Sequence, residues 1–391
     1  MRERRRGIAW AGILAAAYLA LAVAAIWPLP TQLSSVLSQG TDRAVTVPLF
    51  QAWSMWWISD RLPSGFAGLW DAPIFHLTPG SFLFSDPMLL EGIIAAPVFW
   101  AGGTPALAYN LFLLLALVTN GLFGYGLLRS VDLLRPVAAV GGAMLVMLPY
   151  VHHELGVLML VPLAGLIGTL WSWVAFVKRP AWRSGCAVGT ASAVTYLLCG
   201  QYGIFVALVL APAALWMLRR ELFQRRALLA LLGGFAVCAV LVAPLVTAQL
   251  DALGAHDFRR GESNAWRGAS HPSAWLATPW PQLVPLPGVD TADEPWMQAH
   301  FPGALKFLLA LIGVTWDSGA PRPDVGPRCF SPRWCSRRCS RRCHDWRSAS
   351  SPCITRCAIG FRGWHRCAAS GASSSWHRSP SYCWRHWAFR H

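Results

Sequence analysis

The sequence predicts an all-α fold: a polytopic transmembrane helical bundle of about eight spans, with a re-entrant or interfacial helical first outer loop. Three observations carry this prediction. Of 391 residues, 55% are hydrophobic and only 13% charged, against about 25% charged in soluble domains. Uncharged runs recur along the first 316 residues, several of them long enough to cross ~30 Å of hydrocarbon. The basic residues between the runs fall in clusters that a single membrane orientation places on one side. The 22 Trp suit long membrane–water boundaries, where indole rings sit well.

The chain opens with the basic stretch MRERRRG and continues into an uncharged run at 8–27. No small-residue cleavage site follows, so this run reads as a retained first helix rather than a signal peptide. It passes from the cytoplasm outward. Further spans are expected at 105–128, 136–150, 155–177, 184–199, 201–218, 227–250 and 303–316. Pro162, Pro212 and Pro244 are expected inside these helices, where neighbouring helices satisfy the backbone groups they free. Gly185 and Gly189 form a small-xxx-small pair that suits close helix packing.

One apolar segment, 86–103, decides the topology. If it does not span, the clusters Arg2–Arg6, Arg129/Arg135, Lys178/Arg179/Arg183 and Arg219/Arg220/Arg225/Arg226 all lie in the cytoplasm. If it spans, the last three move outside, against the positive-inside rule. It also carries Asp86, Pro87, Glu91 and Pro97, which are costly in lipid. It is therefore read as a re-entrant or interfacial helix on the outer face. Two outer loops result, at 28–104 and 251–302. Within the first, 46–62 places Leu49, Trp53, Trp56 and Trp57 near one face, as expected of a helix lying on the membrane surface.

The net charge of +15 does not point to nucleic acid, because of where it sits. From Asp317 onward there are 14 Arg, no Lys and 3 Asp, leaving only +4 for the first 316 residues. This tail, 317–391, contains no Leu, and it holds eight of the 11 Cys. The other three, Cys186, Cys199 and Cys238, fall in apolar runs, where Cys acts as a small hydrophobe. Three readings of the tail compete. One is a metal module using Cys335, Cys339, Cys343 and His344, but the paired spacing of a structural zinc site is missing. Another is a disordered basic tail. The third, which the composition favours, is a shifted reading frame, in which leucine codons CTG become cysteine codons TGC. The chain thus divides into a membrane domain at 1–316 and the tail at 317–391.

Nucleotide motifs are absent: neither a GxxxxGK[ST] loop nor a GxGxxG turn after a strand is present. HELGV at 153–157 lacks the second His of a zincin, and there is no GxSxG elbow. The polar candidates lie instead on the expected outer face. Asp42 follows the first span. Asp71 and His76 lie in WDAPIFHLTPGSFLFSDP at 70–87, and Asp86 closes it. His152, His153 and Glu154 sit at an outward turn. Asp251, His256, Asp257, Arg259 and Arg260 open the second loop. Carboxylates and imidazoles gathered at a surface suit proton abstraction from a hydroxyl, and an Arg pair suits a phosphate. Asp71 and Asp86 have a plainer reading as residues that hold turns.

The order of these parts resembles the GT-C superfamily of membrane glycosyltransferases, which includes protein mannosyltransferase-like and aminoarabinose transferase-like enzymes. The resemblance covers about residues 8–250. It rests on the acidic residue after the first helix, the Trp-rich surface helix, and the phrase at 70–87. It rests further on TPALAYNL at 104–111, the Leu-Leu-Arg ending at Arg129, and PYVHHEL at 149–155. It implies a polyprenyl-phosphate sugar as donor and an unidentified glycan, lipid or protein acceptor. Asp42 would be the general base. His152, His153, Glu154, Arg259, Arg260 and Asp86 are the expected substrate-binding residues. No cofactor, no metal ligand and no nucleic-acid partner is expected; the partners are membrane lipid and the lipid-linked sugar. The expected location is the inner (plasma) membrane, N-terminus cytoplasmic. A transporter or lipid flippase, and a non-catalytic or inactive fragment, are the alternatives.

Overall fold

The computed structural model describes residues 2–39, 46–75, 78–212, 225–256, 272, 301 and 304–319. Proline and small polar residues set the starts of its helices. Helix α4, Pro105–Ser130, begins with proline just inside the first turn, and the Thr104 hydroxyl caps it by accepting from Leu107 N at 3.2 Å. Proline has no N–H to leave unpaired there, and threonine satisfies one of the donors that remain. Pro136 and Pro149 start α5, Arg135–Val146, and α6, Pro149–His153, in the same way. The remaining helices are α1 (Arg2–Ala25), α2 (Thr46–Arg61), α3 (Leu89–Trp100), α7 (Ala164–Lys178), α8 (Trp182–Leu198), α9 (Gly200–Phe205), α10 (Arg225–His256) and α11 (Ala304–Gly319). All regular elements among the described residues are helical. Contacts divide the chain into Met1–Asp317 and Ser318–His391, and the described helices lie in the first unit apart from the last two residues of α11.

Four helical stretches are long and apolar enough to cross a membrane: Pro105–Ser130, Arg135–His153, Leu158–Lys178 and Arg225–His256. They coincide with four of the expected runs. The other expected spans correspond to shorter described helices. These are Ala9–Ala25 within α1, the 17 residues of α8, α9 with the π-turn Val206–Leu210, and Ala304–Val314 within α11. The ambiguous segment 86–103 holds the 12-residue α3. Pro244 lies inside α10 as expected. Pro162 does not lie inside a helix: it stands between the 3-10 turn Leu158–Leu160 and α7.

Helix α4 is the centre of the packing, touching α1, α2, α3, α5 and α7. Its Tyr109, Leu113 and Leu117 are fully buried in one core with Leu14, Tyr18 and Ala22 of α1. The most extensive helix pair is α8 with α10. Gly185 and Gly189 face Ala230 and Gly234 there, and a Cβ on either α8 glycine would collide with the carbonyl oxygen of Ala230 or Gly234. The small-xxx-small pair is therefore a seam where two backbones touch.

Inter-element hydrogen bonds gather at both ends of this bundle, with Tyr18 to Ala139 O, Asn120 to Val161 O and Thr169 with Thr195 between them. At one end, Asn110 donates to Leu33 O (2.8 Å) and Val36 O (2.7 Å), and Thr104 donates to Ser34 O (2.7 Å). Tyr109 donates to Leu155 O (3.0 Å), and Leu158 N donates to Gln51 Oε1 (2.7 Å). At the other end Lys178 bonds Asp132 (2.8 Å) and Ser130 O. The Lys178 hydrogen bond and charge hold the Asp132 carboxyl below its ordinary range. A depressed carboxyl favours the folded state above its unfolded pKa, and that contribution fades as pH falls through the depressed value. The pair is exposed, so water and salt screen it.

Helix α2 forms where a surface helix was expected, but its aromatic face divides. Leu49 (59% exposed) and Trp56 point outward, whereas Trp57 (5% exposed) is buried with Ile58, Leu69 and Phe82. At about 100° per residue, Leu49 and Trp56 share one direction, and Trp53 and Trp57 are turned from it toward the loop's own core. Trp57 Nε1 donates to Leu69 O at 2.9 Å, which gives the buried indole its partner.

Replacing Gly189 with Leu should force α8 from α10, lowering stability by about 1–3 kcal/mol or more. Gly12, with no atom near its position, is the control. Thermal melting of Gly189→Leu and Gly12→Leu in detergent should separate the two; equal shifts would sink the seam.

Candidate functional site

The segment preceding α3 runs from Ser85 in extended conformation to Met88 at φ 54, the left-handed cap of the helix. This turn aims Asp86 across the bundle, where its Oδ2 accepts from Gly200 N at 2.8 Å. Gly200 opens α9, and Cys199 before it is extended (φ −154, ψ 111), so the chain breaks there between α8 and α9. A carboxylate on the first N–H of a helix satisfies an orphan donor and the helix dipole together. Burial pushes the Asp86 carboxyl up from its usual range, and the Gly200 N–H pulls against this. Glu91, in the first turn of α3, is completely buried. Burial pushes it well above the usual glutamate range, and the nearby Asp86 charge adds to the rise.

The turn His152–Glu154 lies at the same end. Helix α5 stops at Val146 and α6 restarts at Pro149. His152 Nε2 spans that break, donating to Val146 O at 2.8 Å. Both His152 and His153 are buried, and His153 Nε2 lies 3.8 Å from Glu154 Oε1. Lys306 of α11 donates to Met147 O at 3.1 Å, so a cation also sits at the break. Tyr202 Oη lies 2.7 Å from Leu160 O and 3.1 Å from Tyr150 Oη. A carbonyl only accepts, so the Tyr202 proton goes to Leu160 and Tyr150 donates to Tyr202. Tyr202 stands two residues after Gly200. The α8–α9 break therefore links Asp86 on one side to the Tyr150–Glu154 turn on the other.

A groove of about 640 Å³ lies where the first loop meets α10. One wall is a hairpin-like turn: Gly80 N donates to Asp71 Oδ1 (2.9 Å), Ser81 Oγ to Ala72 O (3.0 Å) and Phe82 N to Trp70 O (3.1 Å). The other wall is the end of α10. His256 joins them, with Nε2 3.1 Å from Pro79 O and its ring edge-on to Phe84 at 5.0 Å. Asp71, Thr247, Asp251 and His256 supply the polar lining, and Trp70, Leu83 and Pro244 lie among the apolar part.

The structure thus brings Asp86 and His152–Glu154 to one end of the bundle, and Asp71, Asp251 and His256 into one groove. Asp42, His76, Asp257, Arg259 and Arg260 lie outside the described residues, as does the tail from residue 320. Asp71 and Asp86 hold turns and breaks, which was their plainer reading. Sequence reasoning missed Lys306, Tyr150, Tyr202 and Gln51 as members of the polar end. A lone lysine in the apolar run ALKFLLALIGV was a signal that could have marked the first. Among the described residues no group of three or more His, Cys, Asp and Glu could hold a metal ion. Comparison with protein families, curated proteins and solved structures finds no match to the chain.

Asp86→Ala leaves Gly200 N without its acceptor and should cost about 1–3 kcal/mol. Asp86→Asn keeps an acceptor oxygen and should cost less. Melting of the two variants side by side tests this; Asn as damaging as Ala would show that charge, not the hydrogen bond, is what matters.

Proposed function

We propose that the chain is a membrane glycosyltransferase that moves a sugar from a polyprenyl-phosphate donor to an acceptor at the outer face. The observation that carries this reading is the groove between the 70–83 turn and the end of α10. Its volume falls within the ~300–1,000 Å³ of small-molecule sites. It lies at the end of the long apolar α10, where hydrocarbon-facing surface gives way to polar loops. A lipid-linked sugar would present its head group at that level with its chain among the helices. The carboxylates Asp71 and Asp251 and the imidazole of His256 are hydrogen-bonding groups suited to sugar hydroxyls. The absence of nucleotide motifs in the sequence agrees with a lipid-borne donor.

In this reading the topology has eight spans, with the N-terminus cytoplasmic and the first outer loop interfacial. The polar end of the bundle faces outward, and the Asp132–Lys178 end faces the cytoplasm among the basic clusters. Asp42 takes the proton of an acceptor hydroxyl. The oxygen attacks the anomeric carbon, the carbon–oxygen bond to phosphate breaks, and the phosphate leaves with the electron pair. Arg259 and Arg260, three and four residues beyond His256, stabilise that leaving phosphate. No metal enters this scheme.

A lipid flippase or transporter is the second reading. It is favoured by Glu91, since a buried ionisable residue in an apolar protein marks a transport path by default. Lipid scrambling and sugar transfer, measured on the same proteoliposomes, distinguish the two readings.

Asp42→Asn should lower sugar transfer from a polyprenyl-phosphate donor by about 10²–10⁴-fold, the usual worth of a general base. Retention of full transfer would remove Asp42 from the mechanism. Separately, Thr247→Trp should fill the groove and raise the KM for donor or acceptor with the melting temperature kept. An unchanged KM would place the substrate elsewhere.

A further inference from the structure

Glu91 is the lone charged residue of α3, whose sequence is LLEGIIAAPVFW. It is 0% exposed, and no other described residue hydrogen-bonds either carboxyl oxygen; only its own backbone N–H favours the charged form. Gly92 beside it presses on α2 so closely that a Cβ there would lie 2.6 Å from Ile58 Cβ. Ala95 and Ala96 further along α3 are buried too.

The helices packed against α3 are α2, α4 and α8. On α2 the ionisable residues are Asp60 and Arg61, which pair with each other at 3.3 Å while the guanidinium covers the Trp57 ring. Helix α4 carries Tyr109, bonded to Leu155 O, with Tyr125 and Arg129 toward its far end. Helix α8 carries Arg183 and Cys186 near its start and Tyr196, which donates to Gln249. Cys199 follows α8 within electrostatic reach of both Glu91 and Asp86. None of these gives Glu91 a counter-charge, and the charge that does act on it, Asp86, has the same sign. An ionised carboxylate in such a place costs several kcal/mol, whereas the neutral acid costs only the burial of a polar group.

We propose that Glu91 is a proton-binding site, and that its bound proton keeps α3 seated against α2 and α4. When the proton leaves, the carboxylate needs water, and unseating α3 supplies it. Residues 81–88 connect α3 directly to the turn that walls the groove, so the seat of α3 sets the shape of that wall. The proposal rests on the burial of Glu91 and holds whether or not the chain transfers sugar. Its sign follows from linkage. A carboxyl whose folded pKa is raised favours the folded seat fully below the unfolded value near ~4.3, and that advantage is lost as pH rises toward the folded value. Across that range the ratio of seated to unseated α3 falls by about tenfold per pH unit.

Two measurements on the full chain in lipid nanodiscs test this. Infrared spectra at neutral pH should show the carbonyl stretch of a protonated carboxylic acid, missing from Glu91→Gln. Ala96→Cys, at a buried position of α3, should then react with a water-soluble maleimide increasingly as pH rises, the labelled site being located by mass spectrometry. In the Glu91→Gln background, where the side chain is permanently neutral, labelling at Cys introduced at position 96 should rise only with ordinary thiol ionisation. Identical carboxylic-acid spectra for the native chain and Glu91→Gln would overturn the proton site. A Glu91-dependent band with equal labelling in both backgrounds would overturn its link to the seat of α3.

Discussion

A helix that stops within apolar surroundings leaves carbonyls and N–H groups that only the protein itself can meet. The chain stops often at one end of its bundle, and side chains from elsewhere close the gaps. The break after α5 takes His152 onto Val146 O and Lys306 onto Met147 O. The break between α6 and α7 draws Tyr109 to Leu155 O, Gln51 to Leu158 N, Tyr202 to Leu160 O and Asn120 to Val161 O. The break between α8 and α9 takes Asp86. Apart from that of His152, these bonds reach across 41 residues in the nearest case, Asn120 to Val161, and 159 in the farthest, Lys306 to Met147. They do the work that water does in a soluble protein, and they fix which helices stand beside which.

The same constraint explains what the sequence showed and what it concealed. Long apolar runs cannot hide, and the four stretches able to cross a membrane stand where hydropathy put them. Helix starts were legible wherever Pro or a capping residue stood at the boundary, as at Thr104–Pro105. Interior breaks were legible only in part: the turn at His152–Glu154 and the stop at Cys199 were read as span boundaries. Residues 155–163 are as apolar as a helix and read as part of the span 155–177, yet the chain bends there because distant side chains can satisfy it. The small-xxx-small pair on α8 was legible as a motif, but its partner Ala230 and Gly234 was not, since nothing local in α10 names the helix it meets. The Trp-rich α2 was legible as a helix, and Leu49 and Trp56 are exposed on its outward edge, but the burial of Trp57 was not foreseen. Periodicity gives the angle between Leu49 and Trp57 but not which edge of that wide face meets the loop's own core.

The polar end was legible in its members more than in its geometry. Asp86 and His152–Glu154 were singled out as residues of one face, and they do share one end of the bundle. What joins them is the extended Cys199 and the two tyrosines, and no spacing in the sequence points to that junction. The groove has the same character: Pro79 and His256 meet across 177 residues. Glu91 was legible only as a cost, a carboxylate in a run that lipid would reject. The burial that makes it costly also makes it informative, and that burial is tertiary.

Unmet polar atoms elsewhere set the scale for Glu91. Asn110 Oδ1 and Asn120 Oδ1 also have no partner among the described residues, but in each case the same amide donates from Nδ2 to a backbone carbonyl. An amide with one end satisfied carries no net charge, and its unmet acceptor costs about 1–3 kcal/mol. Glu91 has neither oxygen met by another described residue, and a like charge sits beside it. Among the described residues no cation pairs with it, and only its own backbone N–H favours the charged form, so holding a proton is its way to escape a much larger cost. The amides need nothing further to be tolerated where they are. The carboxyl is tolerated in one protonation state and costly in the other, which is the asymmetry the proposed proton site rests on.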